Sequence, residues 1–558
     1  MPQKRQPMVR WYDPLQLLQT AGAVVVSSLF GRHSDHRLIE ALMGDSATAT
    51  DLSDRDELVL DYVGDVGDGW NSTYAIAYHM TRPALPLEDD KGTIHHTRRG
   101  DVLVFGGDQV YPTPSRREYE ERLVQPYETA SQNTSPPHPL VFAIPGNHDW
   151  YDSLVSFTRL FCRPPKGPVK WFAGWCTAQT RSYFAIKLPG GWWLAGLDVQ
   201  LGSNIDEPQV AYFRDIAGQM RATDRVILCT AEPDWIYTKW YGDLDAGVLD
   251  PDVTDANARF VEEKLFGNRV RVSLAGDLHH YRRHERPDGR QKITAGGGGA
   301  FLHPTHAPDS RQLADGFECK KAFPDSDSSK RMAFKNLLFP FLNPTFGLVT
   351  GLGYMLVAWT LMSGVIEPQL QDPALSAVAR VLLNQALANP QAFLAILLVF
   401  VGFYLFTDTH SKRYRFFAGL THAAAHLVAA VAMTWIVTIV TSAWFPYRSS
   451  RQLAIGGACV FAIGWFVGSM IMGIYLLVSL NGFGRHSTEA FSSLHIEDWK
   501  SFLRLVVRRD GTMNIYPIGI RRVPRTWQDV EGGVDLPLAG PADPNATNPV
   551  LIEGPIPV

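Results

Sequence analysis

Four long apolar segments in the second half of this chain fix the solvent in which that half can fold. Residues 346–366 (FGLVTGLGYMLVAWTLMSGVI) carry no charge. Residues 392–406 (AFLAILLVFVGFYLF) are fewer but extend back toward Pro390. Residues 416–445 hold only histidines as ionisable groups, and residues 453–480 hold no Asp, Glu, Lys, Arg or His. A helix needs about 20 apolar residues to cross the hydrocarbon core of a bilayer. Four transmembrane helices are therefore expected, at about 346–366, 388–407, 420–445 and 455–480, within a membrane region spanning 341–481. His422 and His426 lie four apart on one face of the third segment. Ionisable groups inside a span are functional candidates; a haem or metal is one reading, and hydrogen bonding between helices is the simpler one.

Charge sets the expected orientation. Lys330, Arg331 and Lys335 precede the first segment, and Lys412, Arg413 and Arg415 separate the second from the third. The stretch 367–391 carries Arg380 alone, and Arg448 and Arg451 precede the fourth segment. Basic loops stay in the cytoplasm, so the expectation is an integral membrane protein whose soluble domain and both termini are cytoplasmic. Five cysteines without CxxC spacing agree with a reducing compartment. No cleavable signal opens the chain; LLQTAGAVVVSSLF reads as a packed amphipathic stretch within an N-terminal helical segment, 1–50. A net charge of -4 without a basic run argues against a nucleic-acid surface. The oligomeric state is left open.

Residues 51–306 have a different character. Apolar runs such as ELVLDYV, DVLVF, LVFAI, WWLAG, RVILC and RVSLA recur, each the length of a strand buried on both faces. Residues 307–340 read as a polar linker, and 482–535 as a C-terminal soluble segment. That segment contains FLRLVVRRDGTMNIYPIGI, a hairpin pattern turning at Asp510 and Gly511. The tail 536–558 is proline-rich and aperiodic, so it is expected to be disordered.

Chemistry gathers where the runs end. The first gives Asp65 and Asp68 in GDVGDG, the second Asp108 in GGDQVY with Tyr111 three residues on. A third gives Asn147, His148 and Asp149 in GNHD, and a later one gives Asp277 and His279 in AGDLHHY. A single such aspartate is ordinarily a turn or cap residue. Four glycine-flanked strand ends in one domain point instead to a cluster that backbones approach closely.

With these motifs in this order, residues 58–306 resemble the calcineurin-like metallophosphoesterase superfamily, in a membrane-attached branch with some purple-acid-phosphatase-like features. The resemblance implies a four-layer α/β sandwich, here followed by the four-helix transmembrane region and a small C-terminal β-containing segment. It implies two metal ions, with Asp108 bridging them. Asp65 and His279 would complete the first site. The family's first motif is DxH, and Gly67 stands at its third place. Purple acid phosphatases have the same absence and fill it with the tyrosine of GDxxY, the position of Tyr111; packing or a turn is that residue's other reading. The second site would use Asp108, Asn147 and Asp277, the last replacing the first histidine of GHxH. Ala231 stands where a strand-end histidine is usual, with Glu232 beside it.

Such an oxygen-rich set favours Mg²⁺ or Mn²⁺ over zinc. The expected cofactors are thus two divalent or mixed-valence ions, Mn, Mg or Fe before Zn. His148 would face the leaving group, and Asp149 would either orient it or cap the next turn. Glycines 296–299 either let backbone amides approach an anion or pack the sheet tightly, and His303 and His306 are candidates to enter from the same loop. Asp198 reads as a turn residue near the site. The function implied is membrane-anchored hydrolysis of a phosphate mono- or diester through a metal-bound hydroxide. A lipid-linked substrate is attractive on proximity alone. The alternative is a catalytically weakened membrane sensor or scaffold, and a third reading is a transporter regulated by its soluble domain.

Overall fold

The computed structural model of the chain describes residues 5–30, 48–131, 138–163, 168–199, 205–241, 260–363, 365–366, 375–407, 411–530, 536–543 and 546–558. Two compact units emerge. One comprises Met1–Val9, Gln19–Ser329 and His495–Val558; the other comprises Arg10–Leu18 and Lys330–Leu494.

The first unit is built on two mixed sheets. Its principal strands are β1 (Glu57–Val63), β2 (Val102–Gly106), β3 (Leu140–Ile144), β4 (Trp192–Gly196), β5 (Arg225–Cys229), β6 (Val270–Ala275), β7 (Gln291–Ala295), β8 (Lys500–Arg508) and β9 (Met513–Ile520). In one sheet β1, β2 and β3 run parallel, with Leu60 opposite Val102 and Val102 opposite Leu140. In the other, β4, β5, β6 and β7 run parallel.

Side chains on a strand alternate between faces. Leu58, Leu60 and Tyr62 of β1 meet Val104, Phe142, Trp192, Ile227, Val272 and Ile293 in a core between the sheets. Val63, Leu103, Phe105 and Val141 point outward, against the helix Trp70–Met80 and its neighbours. A third apolar layer lies under the helix Glu207–Gln219. Both faces of each central strand are covered, which is why these runs are apolar at nearly every position.

The expected small C-terminal β-containing segment is present, and it belongs to the first sheet. The hairpin forms, turning through Asp510 and Gly511, but β8 lies antiparallel beside β1, with Leu505 opposite Leu60, and so extends the same sheet. Arg504 and Asp61 face each other in that register, and the guanidinium grips the carboxylate at 2.7 and 3.0 Å. Thr97 and the Met80 carbonyl take further bonds from the same guanidinium.

Two expectations are corrected. The tail expected to be disordered supplies strands: Pro549–Leu551 and Ile556–Pro557 pair with β9, and Leu551, Ile552 and Ile556 are buried. Prolines fit there because an edge strand leaves its outer amides unpaired. The presumed linker contains the strand Glu318–Phe323, which pairs with Tyr281–Glu285 at the sheet edge. Its polar sequence suits an edge whose outer face meets water.

The second unit is helical. The helices Lys412–Ser442 and Ser450–Phe483 are each long and apolar enough to cross a membrane. Ser326–Leu342 and Phe346–Met362 pass that test only together, with a 65° bend, and Pro390–Phe406 is a shorter apolar helix. Small residues let two of these helices approach. A Cβ at Gly464 would meet the Tyr354 side chain, and one at Gly468 would meet Thr350, whose hydroxyl donates to the Gly464 carbonyl at 3.1 Å. The two histidines pair with Nε2 atoms 3.2 Å apart, and Nδ1 of His426 meets the Tyr354 hydroxyl of another helix at 2.8 Å. In the N-terminal helix Pro14–Phe30, Leu15, Leu17 and Leu18 remain exposed, so the packing expected there does not cover them.

Candidate metal centre

The loops leaving β1 and β2 run side by side. The amides of Asp65, Val66 and Gly67 bond the carbonyls of Gly107, Asp108 and Gln109 at 3.0–3.1 Å, and the Tyr111 amide returns to the Gly67 carbonyl at 2.9 Å. Close glycines permit this. A Cβ at Gly146, in the turn after β3, would lie 2.0 Å from Oδ1 of Asp108. Asp65, Asp108 and Asp277 all sit at left-handed φ, 58°, 47° and 64°. That region is uncommon for residues with a Cβ and gathers at functional sites; aspartate tolerates it better than most.

The result is a ring of polar atoms around one hydroxyl. Tyr111 Oη lies 3.0 Å from Oδ1 of Asp65, 3.2 Å from Oδ2 of Asp108 and 3.0 Å from Nε2 of His279. Nδ1 of His279 is 2.7 Å from the Phe301 carbonyl, which can only accept, so Nδ1 carries the proton. Burial pushes His279 well below the usual histidine range, which leaves Nε2 bare. One hydroxyl hydrogen thus faces two carboxylates and a lone pair. Burial, and then the charges of Asp108 and Asp277, raise the Asp65 carboxyl well above its ordinary value; burial, and then Asp277, raise Asp108 to about 8. This is a site short of positive charge.

The spacing also suits a cation. Two adjacent ligands at about 2.1 Å from an octahedral ion lie about 3 Å apart. Among the described residues, no three His, Cys, Asp or Glu side chains suffice alone to hold a metal.

The other expected residues surround this ring. The Asp277 amide donates to Oδ2 of Asp65 at 2.8 Å, while its half-buried carboxylate accepts from the Tyr237 hydroxyl. Asn147 is half-buried, and its side chain is hydrogen-bonded to Tyr151. The His148 amide donates to Oδ1 of Asp108 at 2.8 Å, and Nδ1 of the ring donates to the Pro112 carbonyl at 2.7 Å. Burial lowers His148 to about 4, so the resting ring is neutral.

Asp149 is placed differently from the expectation that it orients His148. It accepts from the amides of Gly146 at 2.8 Å and Gln109 at 3.2 Å and from the Tyr119 hydroxyl, so it ties the GNHD turn to the turn after β2. Successive residues in the 3₁₀ turn Asp149–Asp152 and its cap diverge in direction, which turns this carboxylate back to the amides. Ala231 packs its methyl on Gly107, 2.8 Å from where a Cβ would be. Glu232 is half-buried nearby, its carboxyl pushed up by burial and by the charges of Asp277, Asp234 and Asp108.

His303 stacks on His279 with ring centroids 4.0 Å apart, while His306 meets Ser329 instead. Asp198 accepts from Nε1 of Trp150 at 3.0 Å and from the Ser182 hydroxyl at 2.6 Å. The four glycines pack tightly: a Cβ at Gly296 would meet Asp65, one at Gly297 Ser501, one at Gly298 the Gly64 carbonyl and one at Gly299 Val66. Tyr119, Tyr237 and Lys500 escaped the sequence reading, because none stands at a strand end beside a glycine.

Residues 60–281 match the family model described as calcineurin-like phosphoesterase. This segment belongs to that family. No curated protein matches the chain. Among solved structures, the chain is similar to GAP50, the anchor in the inner membrane complex of Plasmodium, at 10% identity over 47% of this chain and 77% of that one, with a TM-score of 0.28. It is also similar to the purple acid phosphatase PPD1 from yellow lupin (Lupinus luteus) seeds, at 13% identity over 48% of each chain, TM-score 0.30. A third similarity is to PhoD, at 11% identity over 46% of this chain and 59% of that one, TM-score 0.27. Phosphoesterases of this family generally use a two-metal centre, and the ring around Tyr111 lies within this domain.

Proposed function

We propose that the chain is a membrane-anchored, metal-dependent phosphoesterase that hydrolyses a phosphate mono- or diester. The observation that carries this reading is the shortage of positive charge around Tyr111, where two buried carboxyls, both raised above their ordinary values, and a bare imidazole nitrogen converge on one hydroxyl. Asp65, Asp108, Tyr111 and His279 would hold one ion. Asp108, Asn147 and Asp277, with Glu232 beside them, would hold the second. Bound ions of this kind make a nucleophile from water near neutral pH and neutralise the phosphate oxygens. The oxygen-dominated set favours Mn, Mg or Fe, with Zn also accommodated.

The chain's own residues do the rest. The Phe301 carbonyl fixes the tautomer of His279 and aims its Nε2. The Pro112 carbonyl does the same for His148, whose Nε2 is the nitrogen that takes up and returns a proton at the leaving oxygen. Asp149 holds the turn from which Asn147 and His148 project.

Anchoring is supported by connectivity. The chain leaves the α/β unit before Lys330 and returns to the same unit after Leu494. A folded unit lies on one side of a membrane, so the chain between crosses an even number of times. Two helices qualify outright, and Phe346–Met362 and Pro390–Phe406 bring the number to four. At 17 residues each they are about 25 Å long, at the lower limit for a span. The basic loops support a cytoplasmic side for both termini. A lipid-linked phosphate is the substrate class this arrangement favours. A second reading, a phosphate-binding sensor with little turnover, is favoured by Ala231 alone.

The test is metal content and hydrolysis measured together on detergent-solubilised protein. Two ions per chain, with turnover of chromogenic mono- or diesters lost in Asp108→Ala, is the expected outcome. Bound phosphate without turnover under any metal would replace the enzyme reading by the sensor.

A further inference from the structure

The carbonyl that orients His279 belongs to a loop, residues 296–303, whose own position needs an explanation. On its inner side the Ala300 amide donates to the Asp65 carbonyl at 2.9 Å, and the Phe301 amide donates to Oδ2 of Asp68 at 3.2 Å. On its outer side three bonds run to chain that returns after the helical unit. Leu302 donates to the Ile496 carbonyl at 3.3 Å, the Ser501 amide donates to the Gly297 carbonyl at 2.9 Å, and Nζ of Lys500 donates to the Ala300 carbonyl at 2.5 Å.

Lys500 is fully buried. Burying an ammonium is costly unless it is paired and hydrogen-bonded. Its neighbours in charge are the carboxylates of Asp68, Asp498 and Glu497 and the Arg525 guanidinium. Asp68 is itself buried and bonds the next residue of the same loop. The ammonium and this carboxylate therefore grip the two sides of one peptide unit, the ammonium at the Ala300 carbonyl and the carboxylate at the Phe301 amide. The next acceptor along is the Phe301 carbonyl, which takes the proton of His279 Nδ1 at 2.7 Å.

We propose that Lys500 is a positioning residue for the metal centre: through Ala300 and Phe301 it sets the tautomer and aim of His279. The proposal rests on the metal-centre reading above. It makes ligand geometry at the start of the domain depend on a side chain beyond the helical segment.

The experiment compares wild type with Lys500→Met and Lys500→Gln in the full-length protein. Mn²⁺ affinity is measured by titration, and the His279 ring by ¹⁵N-histidine NMR assigned with His279→Gln. Outer groups that orient a metal-bound histidine are worth about 10–100-fold in metal affinity. Lys500→Met should weaken Mn²⁺ binding by that factor and shift the His279 Nδ1 resonance. Lys500→Gln, which keeps a donor, should fall between. Asp61→Leu/Arg504→Met, a change on β1 and β8 at a pair with no hydrogen bond to residues 296–303, should leave both readouts unchanged. Wild-type affinity and an unmoved ring in whichever Lys500 variant folds would overturn the proposal. If wild type binds no metal, the metal-centre reading fails by itself, and the NMR arm still decides whether Lys500 sets the His279 ring.

Discussion

Tyr111 concentrates the chemistry of this molecule at one atom. Its sequence position three residues after Asp108 marked it as a ligand candidate, and its hydroxyl is where Asp65, Asp108 and His279 meet. Tyr111→Phe keeps the ring and removes only that oxygen. Hydrogen bonds to charged groups contribute about 1.5–3 kcal/mol each, so the metal-free variant should lose about that much stability in urea unfolding, and its Mn²⁺ affinity should fall. Unchanged affinity would return Tyr111 to a packing role.

Asp68 gives the pH test. Burial lifts its carboxyl from 3.8 to about 6, against the pull of the Val9 amide and Arg122. Between those values the folded protein holds a proton that the unfolded chain has released. The contribution is therefore full below pH 4 and is lost as pH rises through about 6. At about 1.4 kcal/mol per pH unit, wild type should lose roughly 2–3 kcal/mol more than Asp68→Asn between pH 4 and 7. Parallel melting curves across that range would refute the assignment.

At the scale of elements, β8 carries the most information. It closes the sheet beside β1 and brings Arg504 onto Asp61, partners 443 residues apart in the chain. Removing one member of a buried pair leaves an uncompensated charge and costs about 3–5 kcal/mol, whereas replacing both by apolar groups is often neutral. Arg504→Met alone should therefore melt far below Asp61→Leu/Arg504→Met, as followed by calorimetry. Equal losses in the two would mean that the pair is not the register-setting contact. Truncation after Leu494 should leave β1 as an exposed edge and give insoluble protein, even though the family match ends at residue 281.

For the whole molecule, the even-number argument makes the span count measurable. In a cysteine-free background, Ser363→Cys and Ser411→Cys should be labelled from opposite sides of sealed vesicles if Pro390–Phe406 crosses. Labelling from the same side would reduce the crossings to two. Either result preserves the return of the chain to its α/β unit, because that follows from the strand order β9, β8, β1, β2.

The sequence by itself determined the local features. Apolar runs with both faces covered marked β1, β2, β3, β4, β5 and β6, and glycine-flanked polar strand ends marked Asp65, Asp108, His148 and His279. Uncharged length marked the helical segments. These signals are legible because each depends on residues within a few positions of one another. Only the tertiary structure decided that the C-terminal hairpin belongs to the first sheet, that the polar linker and proline-rich tail supply edge strands, that Asp149 binds backbone rather than His148, and that Lys500 bonds the loop 296–303. Those facts depend on pairings between residues hundreds of positions apart. A polar edge strand reads like a loop, and a buried lysine reads like a surface one, until the partner that satisfies it is in place.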